Sequence, residues 1–106
     1  MATVMTRKPT MTSRVQDYLS QRRALGYKLH REGCQLLNFA HYADRARHRG
    51  PLSSALALRW ARRPRAVDPA YHARRLNIVR VFARHQAVLE PETQVPPRHI
   101  LGPDFR

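Results

Sequence analysis

Acidic residues are scarce in this chain: seven Asp and Glu stand against twenty Lys and Arg in 106 residues, a formal net charge of +13 at pH 7. That shortage excludes a self-neutralising surface and leaves few carboxylates for a paired general acid and base or for a hard-metal site. Glu32 and Asp44 lie twelve positions apart and do not share a helix face closely enough to act as such a pair. Cysteine is nearly absent as well. The lone Cys34 excludes an internal disulfide and fits a reducing compartment; its expected role is a small, semi-buried helix residue. No apolar run approaches the ~18 residues of a membrane span, and no segment has the hydrophobic stretch of a secretory signal. The expectation is a cytoplasmic protein with no membrane partner. Gly-rich phosphate loops, nucleophile elbows and paired Cys-x-x-Cys or His-Glu-x-x-His strings are missing too, so no cofactor, metal or small-molecule substrate is expected. Six His are present, and His41 and His48 share one helix face, but nothing around them completes a ligand set.

What the chain does have is basic charge distributed along helical runs. From Met1 to Glu90 there are eighteen basic and five acidic residues, whereas from Pro91 to Arg106 the charges cancel. A one-signed field of this size opposes compactness and suits a partner that supplies the opposite charge, above all a phosphate backbone.

Periodicity divides the chain into a leader at 1–12, a four-helix domain at 13–90 and an extended tail at 91–106. The leader is acid-free, is interrupted by Pro9 and is expected to be disordered. Ser13-Arg14-Val15-Gln16 has the pattern of a capping box, so a first helix is expected from Ser13. Its apolar face carries Val15, Tyr18, Leu19, Arg22 and Leu25, with Arg14, Gln21 and Arg23 outward; Gly26 supplies a left-handed cap. A second helix is expected from about Lys28 to about His48, with Leu29, Leu36, Ala40 and Ala43 inward beside Leu37 and Phe39, before Arg49-Gly50-Pro51 stops it. Ser53 or Ser54 can cap a short third helix that buries Leu56 and Trp60. Asp68-Pro69 then opens a fourth helix to about Leu89, with Leu76, Val79, Ala83 and Ala87 as its inner stripe and Phe82 beside it. Ile78 and Val81 fall outside that stripe. Pro91, Pro96, Pro97 and Pro103 make the exit extended and linker-like. The fold class is therefore all-α: a compact four-helix bundle with a disordered leader and a Pro-rich tail.

Several strings occur in order: Asp17-Tyr18-Leu19, Arg23-Ala24-Leu25-Gly26-Tyr27-Lys28-Leu29, Leu58-Arg59-Trp60-Ala61, Ala73-Arg74-Arg75-Leu76, Val79-Arg80-Val81-Phe82-Ala83-Arg84 and Glu92-Thr93-Gln94-Val95-Pro96-Pro97. Over about residues 13 to 101 the series resembles the N-terminal core-binding, SAM-like domain of tyrosine recombinases, the phage-integrase family. The resemblance implies a module of DNA integration and recombination that sits on one side of a duplex half-site. A catalytic domain would close over the other side, and full-length recombinase protomers would be further partners. It also implies a nucleoid-associated location in a bacterial cell and a place on a mobile element. In that family the second and fourth helices approach the major groove. Carried onto this chain, the contact candidates are Lys28, His30, Arg31, Asn38, His41, Arg45, Arg74, Asn77, Arg80 and Arg84. Periodicity faces most of them away from the core. Most are expected on phosphate, with Asn77 and one or two Arg able to read base edges.

The family's catalytic Arg, Lys, His-x-x-Arg and nucleophilic Tyr find no counterpart. His72-Ala73-Arg74-Arg75 spells His-x-x-Arg but opens the fourth helix, and no Tyr follows Tyr71. The expectation is a catalytically incomplete, truncated form that does not cut DNA. Two other classes fit the composition. One is a small basic RNA-binding helical protein. The other is a protein-interaction module using Ile78, Val81, Ile100-Leu101 and Phe105.

Overall fold

The computed structural model describes residues 10–65 and 67–97. Its four helices, and no strand among the described residues, are α1 (Met11–Ala24), α2 (His30–Arg45), α3 (Ser54–Ala61) and α4 (Pro69–Leu89). One core joins them. Val15 and Leu19 of α1, Leu36, Phe39 and Ala40 of α2, Leu56 and Trp60 of α3, and Val79 and Phe82 of α4 are all buried. Aromatic edges lock the layers together: Phe39 meets Trp60 at 5.5 Å and Tyr18 meets Phe82 at 5.1 Å, both near-perpendicular. No helix is long and apolar enough to cross a membrane among the described residues.

α1 begins earlier than the capping-box pattern indicates. Thr10 is the N-cap, and its hydroxyl accepts from the Ser13 amide at 3.0 Å, so Ser13 lies inside the first turn. The Asp44 carboxylate of α2 accepts from the Met11 amide at 3.0 Å and the Thr12 amide at 3.2 Å. A carboxylate at a helix N-terminus satisfies amides that have no partner within the helix, and it opposes the positive end of the dipole. This cross-helix cap lies 33 residues away in sequence, beyond the reach of a local motif. The leader's residues 1–9 lie outside the described residues, whereas Thr10 caps α1 and Met11 and Thr12 belong to it.

The new start moves the buried face of α1. Met11 and Arg14 join Val15, Tyr18 and Leu19 inside, while Leu25, expected inside, is 66% exposed. Arg14, expected outward, is buried and forms a two-bond ion pair with Glu90, with Nε to Oε1 at 2.8 Å and Nη2 to Oε2 at 2.9 Å. Gly26 ends α1 as expected, at φ 102°, with the Tyr27 amide donating to the Arg22 carbonyl and the Gly26 amide to that of Arg23. α1 then packs against α2 at Gly33, where an added Cβ would come within 2.8 Å of the Arg23 guanidinium. Gly33 falls on the buried stripe between Leu29 and Leu36, and a side chain there would meet ordinary contact with Leu19 and displace the flexible end of Arg23.

α2 stops at Arg45, short of Gly50: the left-handed residue after it is Arg47 at φ 61°, with the His48 amide donating to the Ala43 carbonyl. α3 is capped by Ser53, one of the two serines the sequence offers, and α4 by Asp68 with Pro69 following, as the sequence indicates. In α4 the buried stripe is Arg75, Leu76, Val79, Phe82, Ala83 and Gln86, rotated from the expected one so that Ala87 is only half-buried. The exit from α4 is non-helical but is no free linker through Pro97. The Gln94 amide donates to the Leu52 carbonyl at 2.9 Å, Gln94 Oε1 accepts from the Ser54 amide at 3.0 Å, and Pro96 is fully buried. Ile100, Leu101 and Phe105 lie outside the described residues.

Candidate nucleic-acid interface

Nine of the ten contact candidates are exposed, and Arg80 is half-buried. Lys28 sits in the α1–α2 turn, where its carbonyl accepts from Arg23 Nε at 3.0 Å. The turn passes through Leu29 at φ 53°, a left-handed conformation uncommon for a residue with a branched side chain. His30 opens α2. Arg31, Asn38 and Arg45 follow at seven-residue spacing and share one face of α2, the outer pair about 21 Å apart at 1.5 Å per residue. His41 stands on the neighbouring face, close to the line of His30. On α4, Arg74, Asn77, Arg80 and Arg84 fall within an arc of about 120°. Arg80 Nη1 donates to Asn77 Oδ1 at 3.4 Å, so Asn77 is pre-oriented by its neighbour.

The fold brings part of this set together. Arg31 of α2 and Arg74 and Asn77 of α4 line one cleft of about 600 Å³, along with Glu32, Tyr71 and Arg75. Asn77 also lines an adjoining hollow of about 210 Å³, with an apolar lining of Leu29, Leu36, Ile78 and Val81. Ile78 and Val81 therefore face a groove beside the basic cleft, which explains their place outside the core stripe. Asn38 has a structural duty as well as exposure, since its Oδ1 accepts from the Trp60 indole at 2.9 Å.

Sequence reasoning missed the residues beneath the cleft. Arg75 is buried, with its guanidinium 3.7 Å from the centre of the Trp60 ring. Nη2 donates to the Trp60 carbonyl at 3.0 Å and Nη1 to Gln35 Oε1 at 3.2 Å; Nε has no partner. Burial pushes the Arg75 pKa down, and the neighbouring Tyr71 hydroxyl opposes that shift. Tyr71 in turn is held below the ordinary phenol value by hydrogen bonding from Gln35 and then Arg75. Tyr42 carries the Arg63 guanidinium 4.9 Å from the centre of its ring. The available signal was the spacing of Tyr71 and Arg75, four apart on α4, opposite Gln35 on α2; only the packing places Trp60 under them.

His48, His72 and the thiol have bland positions. His48 Nε2 bonds the Pro51 carbonyl and His72 Nε2 the Pro64 carbonyl, both at 2.7 Å. A carbonyl only accepts, so each ring must carry its proton on Nε2. His72 thus clamps the α3–α4 connection while Arg75 is held on Trp60. Cys34 is exposed, contrary to the semi-buried placement expected. No cluster of three or more metal-binding side chains occurs among the described residues.

No protein-family model matches the chain. No solved structure matches it either. A curated relative does: over 92 residues the chain is 41% identical to "Putative integrase/recombinase y4rB" of Sinorhizobium fredii (strain NBRC 101917 / NGR234). The match takes in 87% of this chain and spans 29% of the relative's length.

Proposed function

We propose that this chain is a duplex-DNA-binding module of an integrase/recombinase, equivalent to a core-binding domain, which holds one face of a recombination half-site through α2 and α4. The observation that carries the reading is the placement of Arg31, Arg74 and Asn77, from two helices, on one solvent-facing cleft. Arg45, His41 and Arg84 extend the basic surface along the same helices. The likeness to a named integrase/recombinase supplies the biological setting. Phosphate contacts provide affinity, and Asn77, steadied by Arg80, is the residue poised to read a base edge. Other recombinase protomers on the same DNA are the protein partners this reading implies.

Binding of this kind weakens steeply with salt, because each neutralised phosphate releases counterions. Titration of a duplex at several salt concentrations tests it: the expected result is a log–log slope of several units, and an absence of salt-sensitive binding near micromolar concentrations would refute it. We further propose that the chain itself does not cleave DNA, since its His-x-x-Arg string opens α4 with His72 committed to the Pro64 carbonyl. A nicked suicide duplex is expected to yield no covalent adduct, and any adduct would overturn that part of the reading.

A further inference from the structure

We propose that the cleft between α2 and α4 is a built seat for one backbone phosphodiester, with Arg31 and Arg74 clasping its oxygens and Arg75 fixed beneath as a buried positive charge. The inference rests on the DNA-binding reading above and adds where one defined contact is made, and by which side chains.

Arg75 is the centre of the argument. It is 7% exposed, and its partners are an aromatic face, a backbone carbonyl and an amide oxygen. Those groups orient the guanidinium, yet none carries a formal negative charge, and no Asp or Glu among the described residues pairs with it. A desolvated cation without a counter-charge is unfavourable. Here the unfavourable charge is placed against a hollow whose rim carries Arg31 and Arg74. Glu32 is the acidic residue in that lining, so three arginines less one glutamate leave a formal charge of +2. Like charges around one hollow repel, and an anion that enters gains the attraction of all three arginines against the repulsion of Glu32 alone.

The shape and donors suit a phosphodiester in particular. Its two terminal oxygens accept from planar guanidinium groups, whose paired N–H donors match that geometry. The Tyr71 hydroxyl stands beside Arg75, and Arg74 lies 5.9 Å from the Tyr71 ring. Ala70, Ala73 and Ile78 provide apolar wall for the flanking sugars. Arg75 loses little further freedom on binding, because Trp60 and Gln35 already hold it.

The test uses the full chain, a labelled duplex for affinity, and emission from Trp60, the single tryptophan, which lies directly under Arg75. Replacing both exposed cleft residues, Arg31→Ala with Arg74→Ala, is expected to weaken duplex binding about ten-fold or more and to lower the salt slope by about two. Arg47→Ala with Arg49→Ala removes equal charge from exposed positions beyond the end of α2 and is expected to cost no more than about three-fold. Arg75→Met should also weaken binding with an unchanged circular-dichroism spectrum; the exposed double variant carries the test if Arg75→Met fails to fold. Equal losses from the two double variants would overturn the seat while leaving DNA binding intact. A wild-type chain that shows no salt-sensitive duplex binding would overturn both readings. Inorganic phosphate is titrated separately. Tight quenching of Trp60 by phosphate alone, with duplex affinity indifferent to Arg31 and Arg74, would identify a small phosphate ligand and overturn the phosphodiester assignment.

Discussion

Arg14 and Arg75 are buried to the same degree, 7% exposed each, and are satisfied in opposite ways. Where α1 begins and α4 ends, Arg14 meets the Glu90 carboxylate through two hydrogen bonds. Nearby on that end of α1, Asp44 caps the helix. Where α3 ends and α4 begins, Arg75 meets a ring, a carbonyl and an amide, with further arginines around it. In a chain with few acids, a carboxylate pairs with the buried arginine at the first end, whereas at the second Asp68 caps α4 and Glu32 lines the cleft while Arg75 meets neutral groups. The difference teaches that the two ends answer to different demands. One end is closed by charge pairing and serves stability, whereas the other keeps an open positive field, the cost of the anion seat proposed above.

The largest expected effect comes from removing the platform of the second end. Trp60→Ala should cost about 3–5 kcal/mol, as for other buried aromatic truncations, enough to unfold much of so small a domain; chemical denaturation measures it, and an unshifted midpoint would show that the Phe39–Trp60–Arg75 stack bears no weight. Exchanging each arginine for methionine then breaks the comparison directly. Arg14→Met strands the partly exposed Glu90 carboxylate and should cost about 1–3 kcal/mol with duplex affinity little changed. Arg75→Met should cost less stability, since it deletes an uncompensated charge, and should weaken duplex binding. Equal stability losses with no binding difference would erase the distinction between the two ends.

Asp44→Asn should cost about 1 kcal/mol, a typical capping effect, with faster hydrogen exchange confined to the first turn of α1. Unchanged exchange there would deny the cross-helix cap. The smallest effect concerns pH. Hydrogen bonds from Arg14 hold Glu90 below its ordinary value of 4.5, so the carboxylate is favoured in the folded state. Its stabilisation is fully present above the unfolded value and is lost as pH falls from about 4.5 through the lower folded value. Melting curves of wild type and Glu90→Gln should therefore converge in acid; parallel curves would show that the pair adds nothing.

Helix number, the buried Trp60 and the caps at Ser53, Asp68 and Gly26 were legible because each rests on local spacing and backbone chemistry within a few residues. The start of α1 was not, because its decisive acceptor, Asp44, comes from another helix. Arg14 was misjudged for the same reason, since its partner lies 76 residues on. Among the site residues, exposure of the α2 and α4 candidates other than Arg80 followed from periodicity, while the meeting of Arg31, Arg74 and Asn77 at one cleft did not.

The sequence alone determined an all-α chain with an excess of positive charge on the outward faces of its helices, because hydrophobic period and composition are properties of neighbours along the backbone. Only the tertiary structure decided which arginine receives a carboxylate and which is left facing a hollow. Charge pairing depends on distances of a few ångströms between segments far apart in the chain, and the packing of α1 to α4 sets those distances.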